Sequence, residues 1–184
     1  MEKIIKLKKL FKTFNLDGYI IPKNNNFFGE YVPACEDNLK YISNFTGSAG
    51  FAVILKNKNY MFVDGRYTIQ ADIQCGDQFK IYTIPQKYPF DVFKKENLNL
   101  GFDPKLHTEK SLNRLFGNPF INLRAINENL IDLTWKREKN SNIKPFYLIK
   151  DKDAGLKVNH KLTKLLKLIK FNKVNYLFTT ASEN

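Results

Sequence analysis

The hydrophobic pattern is densest in the middle of the chain. Phe51 to Leu55 forms an unbroken apolar run, entered through a glycine-rich turn, Gly47-Ser48-Ala49-Gly50. The polar segment Lys56-Asn57-Lys58-Asn59 then reverses the chain. A second apolar run, Tyr60 to Val63, delivers Asp64-Gly65-Arg66 at its end. Two short apolar runs joined by a turn predict a hairpin at the centre of a sheet. Upstream, Ile4, Leu7, Phe11 and Phe14 recur at spacings of three and four, with lysines between them, which predicts an amphipathic helix over residues 2–14. Tyr19-Ile20-Ile21 reads as a short strand stopped by Pro22. A helix is expected over 36–43, with Asn44 closing it in the left-handed conformation.

Downstream, helix and strand signals alternate. Residues 67–75 have helical spacing with Ile69 and Ile73 on one side, ended by Gly76. Residues 79–84 predict a strand closed by Pro85, and 89–96 a helix with Phe90 and Phe93 inward. A strand over 98–102 ends at Asp103-Pro104. Thr108 caps a helix that runs through Leu115 and ends at Gly117, and 120–126 is a further strand. This alternation predicts an α/β fold with a mixed β-sheet flanked by helices. Residues 129–144 are polar apart from Trp135 and read as the exit from the domain.

Residues 160–180 then resemble residues 3–22. Phe14-Asn15 recurs as Phe171-Asn172, and Tyr19-Ile20-Ile21 as Tyr176-Leu177-Phe178, so 174–178 is expected to be a strand. Either an internal duplication or the likeness of any two helix–turn–strand units of this composition accounts for the pattern. The expected organisation is a domain over 1–135, a linker over 136–154, and over 155–184 the truncated start of a second, related α/β domain.

Composition narrows the functional classes. The net charge is +12, yet four of the basic residues are arginine and the rest are lysines spread along the chain. Solvated lysine faces explain that charge better than a nucleic-acid surface. No apolar run reaches the length of a membrane span, and the N-terminus lacks a signal-peptide core. Two cysteines, Cys35 and Cys75, imply free thiols and a cytoplasmic protein, with their pairing left open.

Candidate chemistry is sparse. His107 and His160 lie far apart without metal-ligand spacing, and each is expected to be a surface or helix-end residue. Ser48 lacks the strand-then-helix setting of a nucleophile elbow, and the same order argues against a phosphate loop. No catalytic or metal-binding residue is therefore assigned. Arg66 is the residue singled out for substrate binding. It follows a buried strand at a position where α/β sheets build sites. Its planar donor fork suits a carboxylate or a carbonyl, while a salt bridge to Asp64 or Asp72 is the structural alternative.

Several segments together carry a family resemblance: Asp17-Gly18-Tyr19-Ile20-Ile21-Pro22, Gly29-Glu30-Tyr31-Val32-Pro33, Phe45-Thr46-Gly47-Ser48-Ala49-Gly50 and Phe62-Val63-Asp64-Gly65-Arg66-Tyr67-Thr68-Ile69-Gln70-Ala71. Weaker agreement continues through Gly101-Phe102-Asp103-Pro104 and Asn129-Leu130-Ile131-Asp132 to Trp135. In this order they resemble the N-terminal, non-catalytic region of aminopeptidase P (Xaa-Pro aminopeptidase), of the creatinase/prolidase metallopeptidase group. Asn44 stands where the family usually has glycine, and it can take the same left-handed geometry.

The resemblance implies two related α/β domains ahead of a catalytic domain that holds two divalent metals, often manganese, and attacks the bond before a proline. None of that third domain lies in this chain, so no cofactor is expected here. A homodimer, a peptide substrate with proline at its second position, and a role for Arg66 in that substrate's cleft are further implications. A non-catalytic protein-binding module of the same fold is the alternative.

Overall fold

The computed structural model describes residues 2–137 and 145–179. Part of the expected linker, 138–144, and the last residues, 180–184, lie outside them. The chain divides into two units, Met1–Asn140 and Ser141–Asn184.

The first unit is built on one six-stranded mixed sheet. Its strands are β1 (Gly18–Pro22), β2 (Gly50–Leu55), β3 (Asn59–Asp64), β4 (Lys80–Ile84), β5 (Leu98–Phe102) and β6 (Ile121–Ala125). Their order across the sheet is β4-β3-β2-β1-β5-β6. β2 runs antiparallel to both of its neighbours, pairing Ile20 with Val53 and Val53 with Tyr60. The remaining pairs, β3·β4, β1·β5 and β5·β6, are parallel. The expected hairpin is therefore present, and β2 alone opposes the other five strands.

Helices cover both faces, which is why the central strands read as continuous apolar runs rather than alternating ones. One face carries Tyr19, Ile21, Ala52, Ile54, Met61 and Val63. Packed on it are α1 (Glu2–Thr13) through Ile4, Leu7 and Phe11, α2 (Asn38–Ser43) through Leu39 and Ile42, and α3 (Thr68–Cys75) through Ala71 and Cys75. The opposite face carries Ile20, Phe51, Val53, Tyr60, Phe62 and Leu100. It is covered by α4 (Pro89–Val92) with the following Phe93, and by α5 (Glu109–Phe116) through Leu112 and Phe116.

Local chemistry sets the ends of these elements. The Asp37 side chain caps α2 by accepting from Lys40 N, and Asn44 closes it at φ 64°. Thr108 and Ser111 cap α5 reciprocally. Pro22 is the last residue of β1 rather than the residue that stops it. Lys23 N donates to Gly50 O, so the Pro22 nitrogen faces the other way, past the end of β1·β5 pairing, where no donor is needed.

Three expectations change, and a fourth, the shared side of Ile69 and Ile73, holds with that side outward. The helix at 89–96 stops at Val92, and the turn drops Phe93 between Tyr60 and Phe62 at centroid distances of 5.2 and 6.3 Å. Ile69 and Ile73 share a side of α3, but that side is exposed, at 77% and 78%. The helix instead lays small Ala71 and Cys75 against the sheet. Leu130 and Ile131, in the segment read as an exit, are completely buried. Leu130 N donates to Tyr19 Oη, and Tyr41 Oη donates to Thr134 O. Finally, residues 174–178 form no strand, because among the described residues nothing pairs with them.

In the second unit, α6 (Val158–Phe171) is the one helix among the described residues. Cys35 is half-buried, Cys75 is buried, and both are free thiols.

Candidate functional site

Because β2 opposes the other strands, its first residue lies at the edge where β1, β3, β4, β5 and β6 all end. The glycine motif, the Asp64-Gly65-Arg66 turn, and the loops after β1 and β5 therefore meet at one edge. There is also a topological switch point on it. β1 and β5 are parallel neighbours, but β1 leads to α2 on one face and β5 leads to α5 on the other. Diverging connections of this kind leave a crevice beyond the strand ends, where open α/β sheets bind ligands.

The glycine motif is sewn to α3. Phe45 is completely buried and meets Tyr67 edge-on at 6.0 Å. Gly47 lies directly over the Phe45 ring, and a Cβ there would overlap the ring atoms. Thr46 N donates to Gln74 Oε1 at 2.8 Å, and Gln70 Nε2 donates to Thr46 Oγ1 at 2.8 Å. The hydroxyls of Ser48 and Tyr67 are 2.7 Å apart. These contacts tie the glycine motif to the turn that carries Tyr67 and to α3.

Arg66 stands on a single helical turn, Gly65–Tyr67, which Asp64 caps. Its Nε and its backbone N both donate to Asp64 Oδ1, at 2.8 and 3.0 Å. Those hydrogen bonds and the guanidinium charge hold the Asp64 carboxyl below its ordinary range. The guanidinium also lies 5.4 Å from the centre of the Tyr67 ring. Of the two acids named as alternatives, Asp64 is the one it pairs with. The side chain is nevertheless 71% exposed, and its Nη groups make no hydrogen bond among the described residues. The salt bridge thus uses one edge of the guanidinium and leaves the other open to a ligand.

The switch-point crevice has two lobes that sequence reasoning missed. Beside α2 is a cleft of about 390 Å³, walled by polar groups that include Asn25, Glu36, Asp103, Asn129 and Arg137. Beside α5 is one of about 290 Å³, walled by Lys23, Ser48, Gly50, His107 and Arg114 among others. Asn24 Nδ2 donates to Leu106 O at 3.2 Å and ties the loops after β1 and β5 together. Lys23 is committed to Asp37, Nζ to Oδ2 at 2.5 Å, in a pair whose side chains are only 13% and 7% exposed. The signal that could have found this pair was positional: Lys23 directly follows a strand end, and Asp37 directly precedes a helix.

His107 corrects its expected surface placement. Its Nε2 is buried without a hydrogen-bond partner among the described residues, and burial lowers its pKa to about 4. Its ring meets Phe102 edge-on at 5.7 Å. His160 is on α6, in the other unit. Among the described residues no group of three His, Cys, Asp or Glu side chains could hold a metal ion. No helix there is long and apolar enough to cross a membrane.

Comparison with known proteins agrees with this architecture. The family model described as the creatinase/prolidase N-terminal domain matches residues 3–130. A probable Xaa-Pro aminopeptidase P of Neurospora crassa is 31% identical, over 94% of this chain and 27% of its own length. Aminopeptidase P1 of Lotus japonicus is 30% identical, over 91% of this chain and 27% of its own. Among solved structures, the X-prolyl aminopeptidase of Caenorhabditis elegans, described as a cytosolic enzyme with a di-nuclear active site, gives a TM-score of 0.74 at 25% identity. It covers 94% of this chain, which in turn covers 31% of it. The N-terminal domain of the cytoplasmic peptidase PepQ of Mycobacterium tuberculosis shares the fold, with a TM-score of 0.58 at 21% identity over 73% of this chain. The chain spans about a quarter of the length of the curated relatives it matches. Its described residues do not fit a di-nuclear centre, so no step is assigned to a metal here. Since the family model matches residues 3–130, more than half of the chain, the chain belongs to the creatinase/prolidase N-terminal domain family.

Proposed function

We propose that this chain is the N-terminal accessory region of a metal-dependent Xaa-Pro aminopeptidase, which removes an N-terminal residue that precedes proline. The observation that carries this reading is the alignment of 94% of the chain with a protein named as such an enzyme. In this reading the chain is not catalytic alone. It supports a homodimer, shapes the substrate cleft of a catalytic domain that holds two divalent metals, with manganese as the proposed ion, and works in the cytoplasm. The exposed Ile69 and Ile73, on the helix that follows Arg66, favour an edge that meets another surface. The open Nη groups of Arg66 favour contact with the peptide substrate.

We also read residues 155–184 as the start of a second, related domain, reached from domain 1–135 through the linker 136–154. Support comes from the helix ends. After α1, Leu16 N donates to Phe11 O, Asn15 N donates to Lys12 O, and Asn15 has φ 51°. After α6, Val174 N donates to Ile169 O, Lys173 N donates to Lys170 O, and Lys173 has φ 54°. Both helices thus close with the same pair of bonds around a left-handed residue, which after α6 is Lys173, one position beyond the Asn172 that matches Asn15.

The test is an assay with manganese and an Xaa-Pro peptide. The 184-residue chain alone is expected to give no turnover. The full-length gene product is expected to cleave the peptide, and its Arg66→Ala variant to show a raised KM or a lowered kcat. Turnover by the chain alone refutes the accessory reading. An inactive full-length product favours the protein-binding module. Unchanged kinetics with lowered stability would leave Arg66 a purely structural ion-pair partner of Asp64.

A further inference from the structure

We propose that the cleft between the end of β1, the start of β2 and α5 binds a small carboxylate carrying one apolar group, the chemistry of a peptide's C-terminal residue. Arg114 and the backbone N–H groups of Ser48 and Ala49 are its donors. The inference concerns this chain alone and stands apart from the aminopeptidase reading.

The donors follow by elimination among the groups at the cleft. Lys23 is taken by Asp37, and Asn24 Nδ2 donates to Leu106 O. The Ser48 hydroxyl is taken by Tyr67, and the Ser111 hydroxyl donates to Thr108 O. Arg114 lines this cleft and an adjoining one of about 210 Å³, and makes no ion pair or hydrogen bond among the described residues. Ser48 and Ala49 precede β2, and their N–H groups have no acceptor among the described residues. Both residues stand in the cleft wall with Arg114. Among the described residues no carboxylate lines this cleft, and Asp64, which lines the adjoining one, pairs with Arg66 through Oδ1 at 2.8 Å.

Charge and shape choose the ligand class. One uncompensated cation suits a singly charged carboxylate better than a phosphate, which carries about 1.5 to 2 negative charges. A guanidinium fork with neighbouring N–H groups matches the two oxygens of a carboxylate. An apolar part of the wall, formed by Ile20, Pro22, Phe51 and Phe116, stands beside these polar groups. About 290 Å³ is at the small end of ligand sites and holds one or two residues. His107, whose Nε2 has no partner, stands in the same wall.

The experiment titrates the ¹⁵N-labelled chain with N-acetyl-leucine, with N-acetyl-leucinamide and with inorganic phosphate, and follows the amide resonances by NMR. N-acetyl-leucine is expected to give saturable shifts at Ser48, Ala49 and Gly50, with a Kd of about 1 mM for a ligand of this size. The uncharged amide and the Arg114→Gln variant are each expected to weaken binding by about tenfold or more. Arg114→Lys is expected to fall between, since it keeps the charge and loses the fork. Arg114 is exposed, and an unchanged spectrum elsewhere in the variants confirms that they fold. Equal affinity for acid and amide, wild-type affinity in Arg114→Gln, tighter binding of phosphate, or no saturable shift by about 50 mM would each overturn the proposal.

Discussion

Replacing Asp37 tests how the switch-point crevice is held open. One Asp37 oxygen accepts from Lys40 N at 3.0 Å and caps α2, while the other accepts from Lys23 Nζ at 2.5 Å, joining the end of β1 to that helix. The two roles are separable. Asn caps nearly as well as Asp, so Asp37→Asn removes mainly the charge, whereas Asp37→Ala removes both functions. Breaking a buried ion pair from one side costs about 3–5 kcal/mol, because the partner charge stays buried and unpaired. Lys23 retains 13% side-chain exposure and a flexible stem, so the lower end applies, about 3 kcal/mol for Asp37→Asn. Loss of the cap adds about 1 kcal/mol in Asp37→Ala. Lys23→Met with Asp37→Asn removes both charges, and is expected to lie within about 1 kcal/mol of the wild type. Urea unfolding measures all of these. Trp135, the sole tryptophan, is the probe, because it stacks on Tyr41 of α2 at 4.4 Å. With a slope near 2 kcal/mol/M, Asp37→Asn should lower the midpoint by about 1.5 M. The reasoning fails if Asp37→Asn costs less than about 1 kcal/mol, or if the double variant is no more stable than Asp37→Asn.

Three further outcomes follow from single side chains. His107 has a folded pKa of about 4, below its unfolded value, so the unfolded chain binds its proton first. Its contribution is complete above about pH 6.5 and is lost as the pH falls toward 4, and His107→Gln should remove up to about 3 kcal/mol of that acid dependence. An NMR midpoint for His107 near 6.5 would refute this. Burial pushes the Cys75 thiol up to about 11, so a thiol reagent at pH 8 should label the native chain once, at Cys35, and the unfolded chain twice. Rapid labelling of native Cys35→Ser would contradict it. Arg137 donates to Cys35 O at 2.6 Å, to Asn38 Oδ1 at 2.7 Å and to Asp132, and stacks on Trp135 at 4.5 Å. Arg137→Ala should cost about 2–4 kcal/mol and shift Trp135 emission to the red, whereas unchanged emission would mean that the segment is held without it.

What was legible in the sequence was local. The β2–β3 hairpin, the caps at Asn44 and Thr108 and the inward stripe of α1 each follow from residues within one element. The Asp64–Arg66 pair was readable as an alternative for the same reason, since its partners are two residues apart. What was hidden depends on long-range placement. Lys23 and Asp37 are separated by a loop, and Arg137 reaches Cys35 and Asn38 across most of the unit. Leu130 and Ile131 are flanked by polar residues and give no periodic signal, yet the sheet buries them completely. Ile69 and Ile73 were readable as sharing a side, but the way it faces was not. Helical spacing shows that two residues share a side, not which side faces the sheet, and here the small residues Ala71 and Cys75 face it.

The direction of β2 explains why two motifs far apart in kind act at one place. Had the strand after the glycine motif run parallel to its neighbours, that motif would have entered the sheet at the opposite edge, about 20 Å away for a strand of this length. Antiparallel pairing instead sets Gly50 opposite Val63, next to Asp64. The short turn at 56–58 fixes this register, so the distance along the sequence between the glycine motif and Asp64-Gly65-Arg66 is simply the length of a hairpin. Contacts from α3 and the turn before it then lock the two together, through Gln70 and Gln74 on Thr46 and through Tyr67 on Ser48. The spacing that makes the two motifs recognisable together is therefore a geometric requirement. It delivers an arginine with open donors, and a pair of unused backbone N–H groups, to the edge where the five parallel strands end.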